Sequence, residues 1–408
     1  MTPEPVPTPA PADHATPSPL QRLTGLDVAG FAPHWGTGPL LTHAADLPTD
    51  LTDLFSPDAL DELVSRRGLR TPFLRVAKSG SDIPASRWTR GGGVGATIDD
   101  QVSDDDLLRL LDDGATLIGH ALHRTWPPLV DFVQALVAEL GHPVQANSYL
   151  TPPANRGFDP HFDNHDVFVV QVGGRKRWII HEPVVDVPLK SQQWRDYGPQ
   201  TAARAQQTPA LDVVLETGDV LYLPRGWVHS AQALGEMSTH VTLGVHAWTR
   251  TTLAEDLTTA ALTALADDRA LREALPLGIA PGDPRPEAAD VRAALKAAID
   301  AVPDADLVAA LDARARSATR TSPVSPVAQV QAALDLGPDS PVRWRAHLAA
   351  DVEEQGSGAR VVTRLGTHHT SGGADVVRRL VAGGTARADE LGVEATRTLL
   401  RAGVVVPA

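Results

Sequence analysis

The sequence predicts an α+β protein in which a small antiparallel barrel or sandwich is flanked by helices. Three observations carry this. Five short runs, "VQANSYL" (144–150), "DVFVVQV" (166–172), "RWIIHEP" (177–183), "GDVLYLP" (218–224) and "STHVTLGVHAW" (238–248), are β-branched or aromatic and bounded by Gly, Pro and Asp. Before them, "SDDDLLRLLDDG" (103–114) has the acidic first turn and Gly stop of a helix, and "PPLVDFVQALVAELG" (127–141) opens on prolines with apolar residues at helical spacing. After them the chain turns Ala-rich and helical from 251 to about 315.

In chain order, residues 1–20 are rich in Pro, Thr and Ala and are expected to be a disordered tail. Residues 21–250 hold mixed structure and then the strand series. Residues 251–320 form a helical segment, as in "LAEDLTTAALTALADDRALREAL". Residues 321–408 contain "GADVVRRLVAGG" and "ATRTLLRAGVVVPA", short amphipathic helices followed by a small β ending, the pattern of a winged-helix-like module.

Composition narrows the function. The 408 residues contain no cysteine, which excludes disulfides, thiolate metal sites and a cysteine nucleophile. A formal net charge of −14 argues against a general nucleic-acid binder and is compatible with a basic partner. No apolar run reaches the roughly 18 residues of a membrane span. The N-terminus lacks the basic start and apolar core of a secretory signal, so a soluble, cytoplasmic protein is expected.

The chemistry concentrates in two stretches. In "HFDNHDVFVVQVGGRKRW" (161–178), His161 and Asp163 are two apart, and in an extended strand that spacing puts both side chains on one face. In "GDVLYLPRGWVHSA" (218–231), a strand ends at Pro224, turns through Arg225-Gly226 and presents His229. Two imidazoles and one carboxylate make a facial triad that leaves three octahedral positions open, a signature of non-haem Fe(II) oxygenases. An isolated His-x-Asp pair is common without metal. The two motifs in this order on barrel strands are far more specific. His165 and Asp166 are neighbouring competitors that fit a turn or a supporting role. Phe168, Val170 and Trp178 are candidates for an apolar wall.

These residues resemble the JmjC-type cupin oxygenases. The Gly218–His229 spacing resembles the second cupin motif, and "NSYLTPP", "STHVTLGVH" and "FAPHWGTGPLL" (31–41) extend the likeness toward the ribosomal-oxygenase branch. It covers residues 22–250 well, and the rest in order more than in sequence. It implies a double-stranded β-helix, the cupin/JmjC barrel, with Fe(II) on His161, Asp163 and His229 and 2-oxoglutarate as co-substrate. Lys176, one of only four lysines, stands where the family pairs a basic residue with the far carboxylate of 2-oxoglutarate. Asn147, Tyr149 and Thr242 match other pocket positions.

The activity implied by the resemblance is hydroxylation of an Arg or His side chain of a basic protein, with ribosomal proteins as the expected targets. The helical segment would be a homodimerisation module, and binding of membrane or nucleic acid is not expected. A 2-oxoglutarate oxygenase acting on a small molecule, and a non-catalytic cupin-type interaction protein, are the alternatives. An intact triad argues against the last.

Overall fold

The computed structural model describes residues 16–78, 80–153, 159–275 and 285–408. They form two compact units, one comprising the chain up to Leu140 with Val144–Val245, the other Gly141–Pro143 with His246–Ala408.

The strands of the first unit are β1 (Leu40–Thr42), β2 (Leu74–Lys78), β3 (Ser81–Asp82), β4 (Thr116–Gly119), β5 (Val144–Thr151), β6 (Asp166–Gly173), β7 (Lys176–His181), β8 (Leu211–Leu215), β9 (Val220–Leu223), β10 (Val228–Ala233) and β11 (Ser238–Val245). Eight of them make one sheet, in the order β1-β9-β6-β11-β5-β4-β2-β3, and β8-β7-β10 make a second. The pairings are antiparallel. A bridge between His161 and His229 ties the lead-in to β6 to β10 of the other sheet. This is the mixed helix-and-sheet architecture of a cupin-type barrel.

Strand β6 explains how the layers divide. Its residues 166–172 are all buried, so both faces of the strand are covered. Val167 and Val169 point into the space between the sheets, with Trp178, Ile180, Leu221 and Leu223. Phe168, Val170 and Val172 point the other way, into the larger core. Phe168 and Val170 were expected to help wall the site, and they do not. Side chains alternate along a strand, and when both faces are apolar the sequence cannot say which face is inner.

The larger core lies under helices. Pro127–Leu140 contributes Leu129, Phe132, Val133 and Leu136, and Pro57–Arg66 contributes Leu60 and Leu63. Each such side chain, fully buried, contributes on the order of 1.5–3 kcal/mol. The expected tail lies mostly outside the described residues, but its end is ordered. A helix over Pro19–Thr24 has a Ser18/Gln21 capping box and buries Leu20 and Leu23. Ser18 and Leu20 also bond the carboxylate of Glu139.

The second unit begins with helices Arg250–Leu265, Arg285–Ala301 and Asp304–Ala318. Asp256 and Arg314 join the first and third at 2.8 Å. A helix over Pro326–Leu334 follows. Beyond it, strand Pro341–Trp344 pairs with Thr385–Arg387 and Val405–Pro407, while Ala350–Gln355, Gly358–Thr363 and Gly366–Thr370 form a separate meander. Val342, Trp344, Val361, Val377, Leu380 and Leu399 form its core.

Candidate metal centre

The turn Pro224–Trp227 sets the centre's geometry. Gly226 has φ +91°, and a Cβ there would lie 2.6 Å from the Val185 carbonyl oxygen. Only glycine fits such a turn. Its N–H donates to the Asp163 carbonyl at 2.9 Å, fixing the turn against the first motif. The preceding Gly-Asp is structural. Gly218 has φ +97° with Ala44 against it, and the Asp219 carboxylate accepts from the N–H groups of Ala44 and Glu216 at 2.9 and 3.0 Å. Backbone bonds between His161 and His229, at 3.1 and 2.8 Å, then place the two residues side by side.

Ligand atoms of His161, Asp163 and His229 all lie within 4.8 Å of one another. His229 Nε2 is 3.8 Å from Asp163 Oδ2, and the two imidazole rings are 4.5 Å apart. Each imidazole is held from behind. His161 Nδ1 lies 2.8 Å from the Asp159 carbonyl oxygen and His229 Nδ1 lies 3.0 Å from that of Trp227. A carbonyl only accepts, so Nδ1 carries the proton and Nε2 presents its lone pair, the arrangement a metal requires. Burial first, then the neighbouring His161, lowers the His229 pKa to about 4. The ring is therefore neutral at ordinary pH. A nitrogen–nitrogen–carboxylate donor set of this geometry fits Fe(II).

The three open into a cavity of about 230 Å³, also lined by Tyr149, Thr151, Lys176, Trp178, His240 and Thr242. That is below the roughly 300–1,000 Å³ of drug-sized sites and suits a smaller ligand. Lys176 is 2% exposed. Its Nζ bonds Thr151 Oγ1 at 3.0 Å and lies 3.4 Å from His240 Nδ1. Among the described residues it has no carboxylate partner. Burial lowers its pKa to about 7. A buried cation without a counter-ion is costly unless a ligand supplies one. Trp178 Nε1 is also buried without an acceptor. Such groups fit a site built for an anionic ligand.

The neighbouring arginines behave differently. Arg175 pairs with Glu236 and Arg177 with Asp212, both exposed. Strand alternation sends Lys176 in and its neighbours out. Tyr149 lies flat against His240, ring centres 4.9 Å apart, and burial ahead of the Asp163 charge pushes its phenol up to about 12. Thr242 lines the cavity; Asn147 does not. The Asn147 Oδ1 instead accepts from the Ala121 N–H at 3.0 Å. Of the competing ligands, Asp166 is fully buried against Arg225 at 3.0 Å, and His165 packs over Gly244, where a Cβ would lie 2.6 Å from its ring.

His240 shares a strand face with Thr242 by the period of two, as the sequence indicates, and Thr151 extends the Tyr149 face in the same way, so a signal for Thr151 existed. Trp194 and Arg195, which also line the cavity, come from the segment between β7 and β8, where the sequence has no motif.

The fold and this centre define a cupin-type barrel with a His-Asp-His cluster whose donor set suits a metal ion. Residues 126–253 match the JmjC domain family. It is 32% identical over 215 residues to a bifunctional lysine-specific demethylase and histidyl-hydroxylase NO66 of Aedes aegypti, covering 52% of this chain and 32% of that one. It is 31% identical over 253 residues to ribosomal oxygenase 1 of Gallus gallus, covering 60% and 39%. The chain thus spans about a third of the length of these curated relatives. Among solved structures, Escherichia coli YcfD superposes with a TM-score of 0.51 at 16% identity over 93% of this chain and 98% of that one. A structure of the same ribosomal oxygenase in complex with cobalt and 2-oxoglutarate gives 0.51 at 17% identity over 94% and 98%. At that identity the likeness is one of fold.

Proposed function

We propose that this chain is an Fe(II)- and 2-oxoglutarate-dependent oxygenase that hydroxylates an Arg or His side chain of a basic protein, a ribosomal protein in the cytoplasm. The observation that carries the proposal is the pairing, in one cavity, of a His-Asp-His cluster with a buried, carboxylate-free lysine. The relatives named as ribosomal oxygenases and histidyl-hydroxylases support the target class.

In this reading His161, Asp163 and His229 hold the iron. Lys176, steadied by Thr151, binds and orients the far carboxylate of 2-oxoglutarate, and Tyr149 and Thr242 flank it. Bound together, iron and 2-oxoglutarate supply oxidative decarboxylation by dioxygen coupled to hydroxylation of a C–H bond. The chain's own part is positional. The backbone carbonyls of Asp159 and Trp227 keep both imidazoles in their ligating tautomer, and Val167, Val169 and Leu223 keep water from the cavity wall. The helices over 250–318 act as a homodimerisation segment, supported by the exposed Leu253, Leu262, Val291 and Val308. The C-terminal module is winged-helix-like.

The test is anaerobic binding of Fe(II) and 2-oxoglutarate, followed by a mass-spectrometric comparison of ribosomal proteins from cells with and without the gene. A hydroxylation that disappears with the gene is expected. Succinate formation driven by a small metabolite, with no protein difference, would replace this reading with a small-molecule oxygenase.

A further inference from the structure

The second unit holds its own cavity, about 200 Å³, lined by Ser322, Ser325, Arg343 and Arg345 among others. No acidic residue lines it, in a chain with 50 Asp and Glu against 36 Lys and Arg. Other arginines of this unit sit on carboxylates: Arg314 on Asp256, Arg316 on Asp312, Arg360 on Glu353, Arg379 on Glu390 and Arg387 on Asp389.

The two arginines of the cavity do not. Arg345 donates only to backbone carbonyls, Ser322 at 2.7 Å and Gly403 at 3.3 Å. Those bonds use two of its five N–H donors and leave its charge uncompensated, and burial ahead of the nearby Arg364 lowers its pKa. Arg343 is exposed and, among the described residues, makes no ion pair or side-chain hydrogen bond. A loop-holding role would explain Arg345 alone. It explains neither Arg343, two residues away and lining the same cavity, nor the absence of acid from the lining. Ser325 makes no side-chain cap bond to the helix it precedes, so its hydroxyl is available as a further donor. Guanidinium groups with hydroxyl donors suit a tetrahedral oxyanion.

We propose that this cavity binds the phosphate group of a small molecule, inorganic phosphate or a phosphate monoester, between Arg343 and Arg345. A nucleic-acid strand is disfavoured by the net charge of −14. Its lining residues all belong to the second unit.

The full-length chain is titrated calorimetrically with inorganic phosphate, adenosine monophosphate and a short single-stranded RNA, at constant ionic strength. Saturable phosphate binding is expected, weakened about tenfold by Arg343→Gln, the loss of one charge-assisted contact, and partly restored by Arg343→Lys. Arg343 is exposed, so circular dichroism of the variant should match the parent. Lys176→Ala, which removes the barrel's buried cation, should leave phosphate binding intact. Tighter binding of the monophosphate than of phosphate assigns the ligand to a nucleotide-like monoester, and equal binding to the free ion. The proposal is overturned by absent binding, by equal affinity in Arg343→Gln, or by loss of the response in Lys176→Ala. RNA binding without phosphate or monophosphate binding also overturns it, in favour of a strand.

Discussion

The metal-ligating part of the barrel cavity and the part around Lys176 are organised by opposite means. At His161, Asp163 and His229 the backbone does the positioning. A glycine turn, a two-residue bridge and two carbonyls fix where each side chain points. Around Lys176 the backbone only sends the side chain inward, and burial does the rest, leaving an amine whose charged form one threonine and one imidazole cannot compensate. The first region is complete as a donor set. The second is complete only with an anion present. Loss of a group should therefore be felt at once in metal affinity in the first region, and only in ligand affinity in the second.

The largest expected effect is at the metal. His229→Ala should weaken Fe(II) binding by more than about a hundredfold, since even partners behind a ligand are worth roughly ten- to a hundredfold, and should abolish 2-oxoglutarate turnover. Far-UV circular dichroism should be unchanged. Retained turnover would remove His229 from the ligand set.

Next is Lys176→Ala. Losing one buried charge-assisted contact costs about 1.5–3 kcal/mol, or roughly ten- to a hundredfold in 2-oxoglutarate affinity, while Fe(II) affinity should stay at the parental value. Arg177→Ala, one residue along and exposed on Asp212, is the control and should change neither. If Arg177→Ala raises the 2-oxoglutarate requirement and Lys176→Ala does not, the roles of the inner and outer cations are reversed.

The pH dependence sharpens the same contrast. Lys176 has its pKa lowered by burial to about 7 from 10.5. Between those values the unfolded chain binds the proton and the folded chain does not, so this group makes the ligand-free protein more stable as pH rises from about 7 to 10.5. Carboxylate binding needs the protonated form. Affinity for 2-oxoglutarate should therefore fall above about pH 7, by up to roughly tenfold per unit, with proton uptake on binding. Calorimetry in buffers of different ionisation enthalpy measures that uptake. A pH-independent affinity between 7 and 9, with no uptake, would show that the lysine is already charged in the ligand-free protein.

How much of this was legible in the sequence depended on whether a pattern had one physical solution. The spacing of His161, Asp163 and His229 did: an extended lead-in to β6 puts residues two apart on one side, and the Pro-Arg-Gly turn brings His229 beside them. The inward course of Lys176 was legible in part: alternation separates it from Arg175 and Arg177 but does not say which set is inside. Strand β6 was illegible in the same respect, being apolar on both faces, and Phe168 and Val170 went to the outer core. Trp194 and Arg195 reach the cavity from a segment whose local sequence has no periodicity to place them. The helix at Pro19 was hidden by a proline-rich context, although the Ser18-x-x-Gln21 capping pair marks it.

The smallest effect concerns Asn147, which shares a strand face with Tyr149 yet lies outside the cavity lining. Resemblance alone makes it a co-substrate contact; its hydrogen bond makes it a support. The Oδ1 accepts from the N–H of Ala121, a non-glycine residue held at φ 52°, and the side chain also bonds His120. The left-handed conformation is unfavourable for alanine, so it persists only while its surroundings hold it. Asn147→Ala should leave the Ala121 N–H without its acceptor and lower stability by about 1 kcal/mol. Affinity for 2-oxoglutarate should not change. Urea unfolding and an isothermal titration on the same variant separate the two roles. A stable variant with weakened 2-oxoglutarate binding would put Asn147 back among the groups that hold the co-substrate. It would also mean that this end of β5 shifts toward the cavity when the ligand is bound.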